Sequence, residues 1–163
     1  MYQQVLDDCT RALASDRKHA RAYEDRGSLY LILNQDSLAL ADGDSLIKVD
    51  PGNRLGYSIR GTAYQHLNQP EKAVLDYTKC IELFPEHDFA YVNRGTILFS
   101  KEKFQEALND FSKAIAINPL GSYYLNRSFC YFRLGDLANA KADMDMAMQK
   151  GENVSAEYKA SFK

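Results

Sequence analysis

Apolar residues in this chain follow helical spacing in a series of short runs that are separated by turns. In the run that begins near residue 88, Tyr91, Gly95 and Leu98 lie three or four residues apart, as one face of a helix requires. Ala107 and Phe111 line the next run in the same way, and prolines or glycines fall between many of the runs. We therefore predict helices over residues 2–15, 20–33, 36–49, 54–67, 70–83, 88–101, 104–117, 121–134 and 137–150.

The pattern is also an internal repeat. The segment Tyr23-Glu24-Asp25-Arg26-Gly27 recurs with its tyrosine at Tyr57, Tyr91 and Tyr124, at steps of 34, 34 and 33 residues. Repeats of this length are typical of helical solenoids, in which each unit buries its apolar face against the next. Other columns keep the same step, above all the arginines and aspartates at Arg26, Arg60, Arg94 and Arg127 and at Asp8, Asp42, Asp76, Asp110 and Asp143.

The columns resemble those of the tetratricopeptide repeat (TPR) family, whose pattern has an aromatic and a small residue on the first helix of each unit. An alanine, an aromatic, a second alanine and a proline follow on the second helix, and Tyr91, Gly95, Ala107, Phe111 and Pro119 match this pattern best. The resemblance implies an all-α fold, a right-handed α-solenoid of antiparallel helix pairs. It covers a single domain over 1–163, with a partial repeat at 2–19, full repeats at 20–53, 54–87, 88–120 and 121–154, and the start of a capping helix at 155–163.

Small residues in the first helices predict where the two helices of a unit approach each other. We expect Gly27, Gly61, Gly95 and Ser128 to face Ala39, Ala73, Ala107 and Ala140. The unit at 20–53 differs, because Gly43 stands where other units have a large residue and Leu46 stands where they have a small one. We expect this exchange to conserve core volume and the 36–49 helix to be the least stable internal helix.

The arginine and aspartate columns have two interpretations, a charged binding stripe or a structural pair that bridges helices. The guanidinium group matches a carboxylate with two parallel hydrogen bonds, which favours the structural interpretation. We expect the pairs to join consecutive units, with Asp76 meeting Arg94 and Asp110 meeting Arg127.

Composition and motifs argue against several functional classes. The net charge is −2 and gives no basic surface for nucleic acid. No run is long and apolar enough for membrane insertion. Cys9, Cys80 and Cys130 are too far apart for a metal-ligand pattern, and no phosphate-binding loop or nucleophile motif is present. We therefore expect no enzyme, no cofactor, no metal and no catalytic residue, and we expect reduced, buried thiols in a cytoplasmic protein.

In the TPR family the first helices of successive units line a concave groove that receives a partner peptide or helix. The resemblance implies the groove residues Leu55, Ile59, Thr62, Phe89, Val92, Asn93, Thr96, Phe99, Leu125, Asn126, Phe129 and Phe132. Of the residues with which related proteins clamp the C-terminal tails of chaperones, only the asparagines Asn93 and Asn126 are kept, while the clamp lysine column holds Glu24, Ser58 or Val92. We do not expect chaperone tails as partners.

The function that follows from these residues is a protein–protein interaction scaffold that binds an extended or helical peptide through apolar side chains. The alternative is a self-associating module, a homo-oligomer formed through open solenoid ends. The chain enters at the second helix of a unit and stops early in a further helix, so we expect a soluble fragment of a larger protein. A further alternative is that a later C-terminal helix covers Phe129 and Phe132.

Overall fold

Helices account for most of residues 2–162, which are the residues that the computed structural model of the chain describes. They are α1 (Tyr2–Ser15), α2 (Ala20–Ile32), α3 (Asp36–Val49), α4 (Arg54–His66), α5 (Pro70–Leu83), α6 (Asp88–Ser100), α7 (Phe104–Ile117), α8 (Gly121–Arg133), α9 (Leu137–Gln149) and α10 (Ala156–Ala160). The nine helices predicted from periodicity are confirmed, with ends that differ by one residue at most. The predicted start of a further helix is the short α10.

The turn inside each helix pair has the same backbone geometry. The first helix of a pair is followed by a residue in the left-handed region, with φ between 55° and 59° at Asn34, Asn68 and Glu102 and 82° at Gly135. Asparagine and glycine adopt this conformation at low cost, whereas glutamate does not. The turn is therefore set by the pairing of the helices and not by one required residue.

The chain divides into two compact units at a repeat boundary in the sequence. The first unit runs to Pro85 and contains α1 to α5, and the second begins at Glu86 and contains α6 to α10. Within the first unit α2 packs on α3 and α4 on α5, and within the second α6 packs on α7 and α8 on α9. The predicted fold class, an all-α solenoid of helix pairs, is confirmed. The single domain over 1–163 and its repeat boundaries stay predictions.

Each helix pair is joined by one arginine and one aspartate that are 16 residues apart. Nε and Nη2 of the arginine donate to the two carboxylate oxygens of the aspartate, over 2.7–2.9 Å. The aspartates are buried and the arginines are about four-fifths buried. The four pairs are Arg26–Asp42, Arg60–Asp76, Arg94–Asp110 and Arg127–Asp143.

The structural interpretation of these columns is correct, but the predicted pairing between consecutive units is wrong. Arg94 binds Asp110 of its own helix pair and not Asp76 of the preceding pair. Arg127 likewise binds Asp143 and not Asp110. The reason lies at the crossing of the two helices. A Cβ atom added to Gly95 would lie 3.2 Å from Cβ of Asp110, so the aspartate stands directly opposite the small residue that follows the arginine.

Three of these arginines also donate, through Nη1, to the helix that precedes their own pair in the same unit. Nη1 of Arg26 donates to the Thr10 hydroxyl over 3.2 Å, and Nη1 of Arg60 donates to Asp44 over 2.7 Å. In the second unit Nη1 of Arg127 donates to the Ser112 hydroxyl over 3.2 Å. These arginines therefore join three helices.

The predicted contact of small residues with alanines needs a correction. The atoms nearest to a Cβ built on Gly61 or Gly95 belong to an aspartate and to the ring of Tyr77 or Phe111, at 3.0–3.3 Å, and not to Ala73 or Ala107. The reason is that the aromatic ring of the second helix lies over the glycine. In the last helix pair, α8 and α9, Ser128 does meet the expected alanine, because its hydroxyl donates to the carbonyl of Ala140 over 2.7 Å.

In the repeat at 20–53, which consists of α2 and α3, the exchange of Gly43 and Leu46 within one helix does not by itself fill the core. Leu46 is fully buried, but the space beside Gly27 is taken by Ile59 of the next helix pair, 3.2 Å from a Cβ built there. Gly43 allows this approach, because a Cβ added to it would meet Cβ of Arg60 at 3.0 Å. The low stability expected of the 36–49 helix stays a prediction.

The arginine–aspartate pairs predict a large effect on stability. Asp42→Ala should lower the free energy of unfolding by about 3 kcal/mol, because it leaves Arg26 largely buried without its carboxylate. Asp8→Ala is the matched control, since Asp8 holds the same column position on α1 but is exposed and pairs with the exposed Arg11, and it should cost under about 0.5 kcal/mol. Urea unfolding followed by circular dichroism measures both values, and equal losses would contradict the structural role of the pair.

Candidate functional site

The predicted groove residues lie on three first helices in two units. Leu55, Ile59 and Thr62 lie on α4 in the first unit. The others lie in the second unit, with Phe89, Val92, Asn93, Thr96 and Phe99 on α6 and Leu125, Asn126, Phe129 and Phe132 on α8. The two sets are described separately.

The α4 residues serve the core of the first unit more than its surface. Ile59 is only 4% exposed and belongs to a cluster with Ala39, Leu46 and Ala63. The hydroxyl of Thr62 donates to the carbonyl of Ser58 over 2.9 Å and lies 3.1 Å from the Tyr77 hydroxyl. Leu55 is half-buried. These core contacts explain why Ile59 and Thr62 occupy their positions without a role in binding a partner.

Leu55 lines an open cleft of about 430 Å³ in the first unit. The polar groups around this cleft are already paired, since Asn53 Nδ2 donates to Glu24 over 2.7 Å and Arg21 donates to Asp25 over 3.0 Å. The guanidinium of Arg54 lies 4.3 Å from the centre of the Phe84 ring. Of the other lining residues, Arg21 and Glu24 lie on α2 in the columns that the family uses for its groove. Asp50, Gly52 and Asn53 lie in the turn between two repeats, where the helical period gives no signal.

A smaller pocket in the second unit brings four of the predicted residues together. It lies between α6 and α8, has a volume of about 50 Å³, and is lined by Thr96, Phe99, Phe111, Asn126 and Phe129. Phe111 is a core residue, and Phe99 packs edge-on against Phe104 with ring centres 5.2 Å apart. The pocket is therefore an apolar depression with one threonine and one asparagine in its wall.

The rest of α6 extends this pocket along one helix face. Phe89, Asn93 and Thr96 follow at intervals of four and three residues, which places them on the same side of the helix. The Phe89 ring is 46% exposed, while Val92 is half-buried against the core. Among residues 2–162, no hydrogen bond joins the side-chain amide of Asn93 or Asn126 to another group.

The chain's own C-terminal segment covers the remaining predicted residues of α8. The Tyr158 ring centre lies 4.6 Å from that of Phe129 and 5.5 Å from that of Phe132, and Phe162 packs edge-on against Phe132 at 5.8 Å. Leu125 packs against the same cluster. The Tyr158 hydroxyl lies 2.7 Å from the Ser128 hydroxyl, and burial raises the pKa of Tyr158. The cover that the sequence alternative assigned to a later helix is present in residues 154–162.

The cysteines lie in the core, as their columns predict. All three are free and buried. Desolvation by burial raises the pKa of Cys9, raises that of Cys80 to about 11 and raises that of Cys130 to about 12. Within the described part of the chain no group of three or more His, Cys, Asp or Glu side chains is placed to hold a metal ion. The helices of residues 2–162 are also too short or too polar to span a membrane.

Comparison with known proteins agrees with this geometry. A tetratricopeptide repeat profile matches residues 89–119, and a second tetratricopeptide repeat profile matches residues 56–87 and 121–148. Together the matches cover more than half of the chain, which belongs to the tetratricopeptide repeat family. Repeats of this family are protein–protein interaction modules of a typically non-enzymatic class. No curated protein sequence matches the chain significantly.

Solved structures confirm the fold at low sequence identity. MamA superposes with a TM-score of 0.83 at 19% identity, over 98% of this chain and 91% of MamA. YrrB, described as a TPR protein with an unusual peptide-binding site, gives 0.75 at 21% identity over 92% of this chain and 78% of YrrB. TTC0263, a thermophilic TPR protein of Thermus thermophilus, gives 0.73 at 19% identity over 99% of this chain and 88% of TTC0263. At identities this low the superposition shows that the fold is shared and says nothing about which partners the proteins bind.

Tyr158 is predicted to hold the C-terminal segment in place. Tyr158→Ala should lower the free energy of unfolding by about 3 kcal/mol, because it empties a buried aromatic site. Tyr158→Phe removes only the hydroxyl contact with Ser128 and should cost about 1 kcal/mol. Lys159→Ala, on the exposed side of α10, is the control and should have no measurable effect in urea unfolding. Equal effects at Tyr158 and Lys159 would show that the segment does not pack on α8.

The raised thiol pKa values predict slow reaction with disulfide reagents. Near pH 8 the thiols of Cys80 and Cys130, with pKa values of about 11 and about 12, are almost fully protonated, and the thiolate is the reacting form. The native protein should therefore react with a chromogenic disulfide reagent on a scale of hours, whereas the protein in urea should react at all three cysteines within minutes. Reaction of either cysteine within minutes in the native protein would contradict its burial.

Proposed function

We propose that this chain holds a partner peptide on the α6–α8 face of its second unit. This face consists of Phe89, Val92, Asn93, Thr96 and Phe99 of α6 with Asn126 and Phe129 of α8. The observation that carries the proposal is the pocket between the two helices, which four residues of this face line together with the buried Phe111. Concave, mainly apolar sites with a few polar groups in their walls are the usual form of a binding site.

The size of the pocket limits what can enter it. A volume of about 50 Å³ admits a small aliphatic group and not an aromatic ring. The Phe89 ring supplies a second, more exposed apolar contact at the other end of the face. A peptide with a small aliphatic side chain for the pocket and a larger apolar one for Phe89 fits this arrangement.

The two asparagines supply the polar part of the recognition. A side-chain amide carries both donors and an acceptor, so it can pair with the N–H and the C=O of a peptide backbone. The amides of Asn93 and Asn126 are uncommitted within residues 2–162, which leaves both available to a partner. Backbone pairing of this kind gives affinity without demanding one sequence. The face carries no lysine or arginine, which agrees with the expectation that chaperone C-terminal tails are not the partners.

The proposed site is smaller than the groove that the resemblance implies. Ile59 and Thr62 are left out because they serve the core of the first unit. The C-terminal segment packs on Leu125, Phe129 and Phe132, and of these three only Phe129 is kept, because it lines the pocket. Leu55 belongs to the other unit. The alternative function, self-association through the solenoid ends, stays a prediction that mass measured over a range of protein concentrations tests.

A single charged substitution tests the site without disturbing the core. Thr96 is exposed, and its hydroxyl donates to the carbonyl of Val92 in its own helix over 2.9 Å. Thr96→Lys places a long charged side chain at the mouth of the pocket. Peptides selected from a random display library on the whole chain should bind this variant at least about tenfold more weakly. Fluorescence anisotropy of the labelled peptides measures the change.

Ser45→Lys is the matched control. Ser45 also donates to a carbonyl in its own helix, that of Ala41, over 2.9 Å, but it lies on α3 in the first unit. It makes the same change of charge and loses the same kind of hydrogen bond. Binding of the selected peptides should be unchanged in this variant. If the peptides bind the Thr96→Lys and wild-type proteins equally well, the pocket is not the binding site.

A further inference from the structure

A second pocket of the first unit is positively charged, although the whole chain has a net charge of −2. It has a volume of about 450 Å³ and lies between the turn that joins α1 to α2 and the last turns of α3. None of the aspartates and glutamates in the described residues lines it. The walls are formed by Arg17, Lys18, Tyr23, Ser45, Lys48 and Val49.

The cations of this pocket differ from the other cations of the first unit because they have no partner. Within residues 2–162 the side chains of Arg17, Lys18 and Lys48 make no ion pair, hydrogen bond or aromatic contact. Every other arginine and lysine of the unit, from Arg11 to Lys79, meets a carboxylate, an amide oxygen or an aromatic ring. The unpaired charges of the unit are therefore gathered around one pocket.

The turn that carries Arg17 and Lys18 is held by hydrogen bonds that do not use their charged groups. The Tyr23 hydroxyl donates to the carbonyl of Arg17 over 3.3 Å. The backbone N–H of Lys18 donates to the carboxylate of Asp16 over 2.8 Å. Both side chains are exposed, so the backbone is fixed in advance while the guanidinium and ammonium groups can reach a ligand.

The same turn one repeat later shows that the fold does not require these charges. The Tyr57 hydroxyl donates to the carbonyl of Pro51 over 3.2 Å, which is the same hydrogen bond at the same place in the repeat. Here Pro51 stands in the position of Arg17, and an uncharged glycine stands in that of Lys18. The basic residues are therefore an addition to the turn and not a part of its construction.

The third cation is also particular to this pocket. Lys48 corresponds to Glu82 in the next repeat, and Glu82 pairs with Lys79 over 3.0 Å. The position of Lys79 is held by Ser45 in the earlier repeat, so the second helix loses this internal pair and presents an unpaired lysine instead. Both walls of the pocket thus depart from the repeat pattern toward positive charge.

A phosphate monoester is the anion that suits this arrangement. A phosphorylated side chain carries a charge of about −1.5 to −2 near pH 7 and three strong acceptor oxygens, whereas a carboxylate carries one charge on two oxygens. An arginine with lysines nearby is the usual receptor for such a group. Tyr23 and Val49 add apolar surface that the stem of a phosphorylated side chain can contact.

The openness of the pocket favours a phosphate that belongs to a polypeptide. Sites for small molecules enclose most of the ligand, whereas Arg17, Lys18 and Lys48 are all exposed. Docking on an anionic membrane uses clusters of about four to eight basic residues on or beside a membrane-bound helix. This pocket has fewer cations, in a recess.

We propose that this basic pocket binds a phosphorylated side chain of a partner polypeptide. Arg17, Lys18 and Lys48 pair with the phosphate oxygens, and Tyr23 and Val49 contact the stem. The pocket lies in the first unit, whereas the α6–α8 face lies in the second, so the two proposals can fail independently. Display-library peptides carry no phosphate and therefore test the α6–α8 face alone.

A synthetic phosphopeptide library tests the proposal. The probes contain one central phosphoserine or phosphotyrosine between degenerate positions, and the whole chain is the immobilised bait. Enriched peptides, labelled with fluorescein, should bind with Kd below about 100 μM in fluorescence anisotropy. The same peptides without phosphate should bind at least about tenfold more weakly. Failure to enrich any phosphopeptide, or equal affinity of the two forms, would overturn the proposal.

Variants of the protein locate the binding. Arg17→Gln and Lys48→Gln should each weaken the phosphopeptides at least about fivefold, because each removes one cation from the pocket. Lys113→Gln is the matched control: Lys113 is an exposed lysine of α7 in the second unit, it has no ion pair within residues 2–162, and it lies outside the pocket. Its affinity should not change. Equal losses at Lys48 and Lys113 would show attraction to the overall charge and no site.

Two further arms of the experiment distinguish other sources of phosphate. They use phosphatidylcholine vesicles that contain phosphatidic acid, in a sedimentation assay, and a single-stranded oligothymidine. Neither should bind the chain. If either one binds and loses its binding in Lys48→Gln, while no phosphopeptide binds, the pocket recognises a membrane or a nucleic acid and the polypeptide partner is wrong.

Discussion

An arginine that is about four-fifths buried needs a carboxylate, and this requirement organises each helix pair. Leaving such a charge unpaired costs several kcal/mol, so the two helices can pack only in the register that brings Arg94 to Asp110 or Arg60 to Asp76. The glycine after the arginine belongs to the same arrangement, because it lets the aspartate come close enough to meet both nitrogens. Charge pairing and close packing are therefore one interaction in this fold.

The cores of the helix pairs depend on their neighbours. Tyr77 and Phe111 fill the space beside the small residue of their own pair. Where the second helix offers only Gly43, Ile59 of the following pair does so, and where it offers Met144, Tyr158 of the C-terminal segment packs there. Ile59 comes from a column that the family uses for binding, and Tyr158 packs on Phe129 and Phe132 of other such columns, which explains why the candidate site is smaller than the groove that the resemblance implies.

The sequence predicted the helices almost to the residue, because apolar spacing, prolines and the repeat step all mark the same boundaries. It could not predict which aspartate each arginine meets, since Asp76 precedes Arg94 by nearly as many residues as Asp110 follows it. The sequence also could not predict that Ile59 lies in the core and not in the groove, because an apolar residue on a first helix fits the repeat pattern equally well in both places. Tyr158 lies one repeat step after Tyr124, but α10 is too short to show a helical period, so the sequence did not predict that it packs on α8.

The constant separation of arginine and aspartate has a consequence for how such a chain can change through its ancestry. The separation is 16 residues in all four pairs, whereas the step from one pair to the next is 34, 34 and then 33. The missing residue falls in the connection before α8, outside the bonded hairpin. The change of one residue in the repeat step is therefore accommodated in a connection between helix pairs, where it leaves the bonded arginine and aspartate in register.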